Sequence, residues 1–154
     1  MRTKRQYKRI LCILSVLLLL SGSVAFAETE VAVYVNGTRI ATDTPAIIVD
    51  GRTMLPFRSI LNALGVSNES ITWDAGSRSI EIRHENKYIF LMIGNTDFLI
   101  LDLISGIPPK ERVPMDVAPF IRDGRTLVPV RFISEALDAT VNWDPVIKTV
   151  SITR

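Results

Sequence analysis

Two tryptophans, two arginines and one histidine have the types and places that could do chemistry. Trp73 and Trp143 each precede an aspartate, Asp74 and Asp144. An indole face can stack on a sugar ring, and it also buries roughly 150–250 Å² when it anchors a core. Both tryptophans recur beside strand-like residues at matching places in the chain. Core packing is therefore the first reading for them and a ligand platform the second. Arg58 and Arg131 each stand two residues after a proline. A guanidinium there could grip a carboxylate or another anion, or act as a structural fork. Asp74 and Asp144 recur just as the arginines do, so an Arg–Asp bridge within each copy is expected. Trp73, Trp143, Arg58 and Arg131 are the residues expected to carry any binding role.

Catalytic constellations are sparse. His84 is the single histidine, and the single cysteine, Cys12, lies near the N-terminus. A zinc or copper site wants several imidazoles or thiolates. A calcium site of carboxylates and carbonyls stays open, although "DAGSR" and "NTD" are too short and irregular for an EF-hand loop. No serine sits in a nucleophile elbow beside which His84 could act. No glycine-rich phosphate loop occurs. Lys and Arg are scattered among Asp and Glu without a basic stripe, which argues against nucleic acid. No cofactor and no metal site are expected.

The elements that position these residues are written twice. "DGRTMLPFRSILNAL" (Asp50 to Leu64) returns 73 residues later as "DGRTLVPVRFISEAL" (Asp123 to Leu137). Upstream, "VYVNGTRI" stands where "LISGIPPK" stands before the second phrase. Downstream, "ITWDAGSRSIEI" answers "VNWDPVIKTVSI", with three extra residues around "SNES" in the first copy. Each Asp-Gly lies between two apolar runs, as in a tight hairpin whose glycine takes positive φ. Pro56 and Pro129 end the return strand, and a helical period follows: Phe57, Ile60, Leu61, Leu64 in one copy, Val130, Ile133, Ala136, Leu137 in the other. Gly65 fits the first helix end, while Asp138 marks the second less clearly. "KYIFLMIG" reads as an additional strand between the copies. The unit is strand, strand, strand, helix, strand, strand. The expected class is α+β, mainly antiparallel sheet with two short helices, built from two pseudo-symmetric repeats at about 31–83 and 87–154.

The N-terminus is read apart from the fold. Arg2, Lys4, Arg5, Lys8 and Arg9 precede an apolar run from Ile10 to Leu20, and Ala25 and Ala27 flank Phe26. This is the order of a signal peptide, 1–27, with cleavage expected after Ala27 and no stable membrane span afterwards. Residues 28–154 then carry 13 basic and 16 acidic side chains, a net −3, against +2 for the whole chain. The basic balance thus belongs to the leader. The remainder has no cysteine, which excludes disulfides and thiolate chemistry from it.

The two "DGRT…P…R" blocks with their "TWD" and "NWD" partners resemble the copper amine oxidase N-terminal-like, or stalk, domain. They are similar to exported Gram-positive bacterial versions of it. The resemblance spans about Val31 to Ile152. Met54, Phe57 and Ser59 depart mildly from the pattern, and "LISG" replaces a Val-Asn-Gly hairpin. The resemblance implies a small exported α+β module with a binding role. In amine oxidases of this kind, catalysis rests elsewhere, on a tyrosine-derived quinone and copper held by three histidines. This chain has no Asn-Tyr pair and one histidine, so no catalytic residue carries over.

The leading expectation is a non-catalytic, secreted or wall-associated interaction module that binds cell wall polysaccharide or an envelope protein. The alternatives are a small secreted hydrolase using scattered carboxylates and His84, and a metal-binding accessory domain. The proline-rich "IPPKERVP" (Ile107 to Pro114) is an ordered connector or a binding loop.

Overall fold

The computed structural model describes residues 30–104 and 112–154. The signal-peptide reading, and most of "LISGIPPK", lie outside the described residues. The remainder is an α+β arrangement of three mainly antiparallel sheets with two seven-residue helices.

The central sheet comes from the repeated phrase. Strands β3 (Ile47–Val49) and β4 (Arg52–Pro56) form one hairpin, and β10 (Phe120–Arg122) and β11 (Arg125–Pro129) form the other. The two-residue turns hold Asp50 at φ 48° and Gly51 at 75°, and Asp123 at 50° and Gly124 at 71°. Positive φ at both central positions matches the twist of the flanking strands, and Asp-Gly meets that demand at low steric cost. The sheet order is β10-β11-β4-β3, so the two return strands lie side by side at its centre. Their register pairs Val128 with Leu55, Leu127 with Pro56 and Pro129 with Met54. Leu55 and Val128, at equal places in the two phrases, are thus direct partners, and their neighbours pair crosswise about them.

Each return strand runs directly into a helix, α1 (Phe57–Ala63) or α2 (Val130–Ala136). The N-cap residues are Pro56 and Pro129, whose ψ of 126° and 118° is extended and whose side chains give no capping bond. Helices this short and uncapped are marginal alone. They persist because Phe57, Ile60 and Leu61, and Val130, Ile133 and Ala136, are buried. Gly65 at φ 87° and Asp138 at φ 62° turn the chain out of them. A cation closes each helix end. Arg154 Nη1 donates to the Leu64 carbonyl at 3.1 Å, and Lys87 Nζ donates to that of Ala136 at 3.0 Å. Both placements suit the partial negative charge of a helix C-terminus.

The outer sheets are shared between the copies. The first joins β12 (Thr140–Asp144) and β13 (Thr149–Thr153) of the second copy to β1 (Ala32–Val35) and the two-residue β2 (Thr38–Arg39) of the first. There β1 runs parallel to β13, Ala32 beside Thr149 through Val35 beside Ile152. The other sheet runs β5-β6-β7-β8-β9. It joins β5 (Ile71–Asp74) and β6 (Ser79–His84) to β7 (Lys87–Met92), β8 (Asp97–Asp102) and β9 (Arg112–Pro114). Two strands were not foreseen: β8, and β9, which takes the last residues of the stretch read as a connector and pairs Val113 with Phe98.

Alternation along β4 and β11 divides the apolar side chains. Leu55 and Val128 face a main core with both helices and the inner faces of the outer sheets. Met54 and Leu127 face the other way and meet Val117 in a smaller cluster.

Candidate binding site

At each end of the β4–β11 pair the surface sinks into a cleft. The first, about 270 Å³, is lined by Ile48, Gly51, Arg52 and Thr53 from the first phrase, and by Pro129, Val130, Arg131 and Trp143 from the second copy. The other, about 410 Å³, is lined by Ile121, Gly124, Arg125 and Thr126, and by Asp43, Pro56, Phe57, Arg58, Ser59 and Trp73. Eight lining residues of each cleft stand at the same places in the repeat, while Val141 and Val150 line only the first and Asp43 and Ser59 only the second. Antiparallel pairing of β4 with β11 sets the turn of one copy against the helix start of the other. Each cleft is therefore built by both copies and by neither alone.

The four residues singled out in the sequence come together two by two: Trp73 with Arg58, and Trp143 with Arg131. The tryptophans are held differently. Trp73 is half-buried and packs against the main core, in keeping with the first reading. Trp143 is 37% exposed, with Ile48 of the same cleft 50% exposed, so core packing does not describe it. The ring of Trp143 is available as an apolar face beside charged groups.

The expected Arg–Asp bridges within each copy do not form. Asp74 Oδ1 instead accepts the backbone N–H groups of Gly76 and Ser77 at 2.7 and 3.0 Å. Asp144 Oδ1 accepts those of Val146 and Ile147 at 2.8 and 3.2 Å. An aspartate satisfies its own turn two and three residues on, and this local geometry outcompetes a distant guanidinium. The bonds from Ser77 and then Gly76 hold the Asp74 carboxyl below its ordinary range.

The arginines have other partners. Arg131 Nη1 lies 3.7 Å from Glu135 Oε1, one helical turn on. Arg58 lies with its guanidinium 5.1 Å from the centre of the Phe57 ring, and its Nη1 donates to Asn68 Oδ1 at 3.4 Å. The bridges that do cross between copies use the arginines of the Asp-Gly-Arg turns. Arg52 Nε donates to Asp116 Oδ2 at 2.8 Å, and Arg125 grips both carboxylate oxygens of Asp43. The hydrogen bond from Arg125 is the main reason the Asp43 carboxyl titrates below its ordinary range. Sequence reasoning missed Arg52, Arg125, Ile48 and Ile121 as cleft residues. The signal was there: Asp43 precedes Arg52, and Asp116 precedes Arg125, by the same nine residues.

His84 is engaged structurally. Arg154 Nη1 donates to its Nε2 at 2.9 Å, and Glu85 binds Arg154 Nη2 at 2.7 Å. Among the described residues no three His, Cys, Asp or Glu side chains converge as metal ligands, so the donors do not fit the copper that the family name brings to mind. Among them, too, no helix is long and apolar enough to cross a membrane.

A family model matches residues 34–152, that of the copper amine oxidase N-terminal domain, a non-catalytic domain. No curated protein matches the chain. With the match spanning the elements from β1 through β13, both clefts included, the chain belongs to the copper amine oxidase N-terminal domain family.

Proposed function

We propose that this protein is a non-catalytic accessory module, exported to the cell envelope, that holds a wall polysaccharide in its two clefts. The observation that carries this reading is the recurrence of one surface arrangement at both ends of the central strand pair. Each cleft offers an indole, a second apolar side chain and two arginines. An exposed ring face beside planar hydrogen-bond donors suits a sugar, whose faces are apolar and whose edges are hydroxylated. The leader-like N-terminus supports export, and the wall is then the nearest polymer. The test is co-sedimentation of the purified protein with cell-wall sacculi at low and high salt. Pelleting that persists in high salt supports the reading, because stacking is not screened. Protein that stays in solution throughout overturns it and directs the search to an envelope protein.

A further inference from the structure

The two clefts are built alike but are not charged alike. In the second copy Glu135 stands one turn after Arg131 and forms an ion pair with it at 3.7 Å. The matching place in the first copy is Asn62, which carries no charge. Among the described residues no carboxylate lies within ion-pair distance of Arg58. Its neighbours are the face of Phe57 and the Asn68 side-chain oxygen. Asn68 belongs to the three-residue 3₁₀ turn Asn68–Ser70, in the stretch where the first copy is longer than the second. The extra residues thus supply a neutral support for the guanidinium where the other copy supplies a counter-charge. Arg125 in the same cleft is already paired with Asp43, a carboxylate of the cleft lining, so Arg58 is the guanidinium left without a counter-charge.

We infer that the cleft at Arg58 is an anion subsite, taking a carboxylate or phosphate group of an acidic wall polymer, and that the cleft at Arg131 is not. The inference rests on the polysaccharide reading and narrows it. Arg58 is exposed, so an incoming anion can approach it. Asn68 and Phe57 hold the guanidinium without neutralising it, which leaves donors of the planar fork for a ligand. In the other cleft an anion would have to displace Glu135, while the open Trp143 still suits an uncharged sugar face. One chain then reads two features of the same polymer, an acidic group and a neutral ring. The clefts lie at opposite ends of a five-residue strand pair, roughly 13 Å apart along the strand.

The experiment measures affinity for sacculi as a function of salt, with intact sacculi and with sacculi stripped of phosphodiester-linked polymers by acid. Arg58→Gln is expected to weaken binding at low salt by about tenfold and to flatten the salt dependence. Asn62→Glu, an exposed change that gives Arg58 the internal partner Arg131 has, is expected to do the same. Arg131→Gln is expected to keep the parent's salt slope whatever it costs in affinity, and Arg39→Gln, at an exposed arginine outside both clefts, is expected to stay within about twofold of the parent. Loss of the salt-sensitive part on stripping names phosphate as the ligand group, and its retention names carboxylate. Each variant is first shown to melt like the parent. Should Arg58→Gln and Asn62→Glu both bind with unchanged affinity and salt slope, the anion subsite is refuted and the polysaccharide reading stands. If the parent protein fails to bind at any salt concentration, both are refuted.

Discussion

Leu55 and Val128 hold the same place in the two copies of the phrase, and they are paired with each other in the central sheet. Both are 1% exposed. Every cleft residue taken from the phrase is set by this one pairing, since a slip by a single residue would turn each side chain to the opposite face. Truncation here removes buried methyl groups where the halves meet. Leu55→Ala is expected to cost about 2–5 kcal/mol and Val128→Ala somewhat less. Urea denaturation followed by fluorescence measures both, and costs near zero would show that this pairing does not organise the domain.

The Asp-Gly turns are expected to be intolerant of side chains for a conformational reason alone. A Cβ at Gly124 would meet nothing within 4 Å, but the residue sits at φ 71°. Gly124→Val should therefore lower stability by roughly 1–2 kcal/mol through backbone strain. An unchanged melting temperature would show that the turn has another geometry.

One substitution should raise stability. The Ser134 hydroxyl is fully buried on α2 and has no hydrogen-bond partner among the described residues. The matching residue in the first copy is Leu61, also fully buried. Ser134→Ala removes an unsatisfied polar group and leaves a void of only one oxygen. A gain of about 1 kcal/mol is expected in chemical denaturation. A loss would reveal that the hydroxyl has a use.

Acid should destabilise the domain through identifiable carboxylates. Asp43 is held below its ordinary range by Arg125, and Asp74 by the backbone N–H groups of Ser77 and Gly76. A depressed folded-state value contributes stability above the unfolded-state value and loses it as pH falls through the folded one. The melting temperature should thus be steady near neutrality and drop below about pH 4. Asp43→Asn combined with Asp74→Asn should flatten that drop. An equally steep acid limb in the double variant would assign it to other groups.

Much of the fold was legible because its signals are local. Asp50-Gly51 and Asp123-Gly124 announced the hairpins, Pro56 and Pro129 the strand ends, and the spacing of Ile60, Leu61, Ile133 and Leu137 the helices. What was not legible is how the copies share their parts. Nothing local in "VAVYV" says that β1 will pair in parallel with β13, more than a hundred residues on. The same limit explains the misassigned ion pairs. Asp74 and Asp144 follow tryptophans at the ends of β5 and β12 and look free, yet each is used by its own turn. Arg58 with Trp73, and Arg131 with Trp143, were singled out without knowing that each pair shares a cleft. The opposite wall of each, Arg125 or Arg52, comes from the other copy and is brought there by the register of Leu55 and Val128.

The most direct test of the polysaccharide reading is the salt-resistant part of sacculus binding, compared between the parent protein and Trp143→Ala. Trp143 is a third exposed and outside the main core, so its removal should leave the fold intact. The expected result is that the parent pellets with sacculi in high salt and that Trp143→Ala, melting like the parent, does not. A parent protein that remains in the supernatant, or a Trp143→Ala variant that pellets just as well, would contradict a sugar-binding role for this cleft.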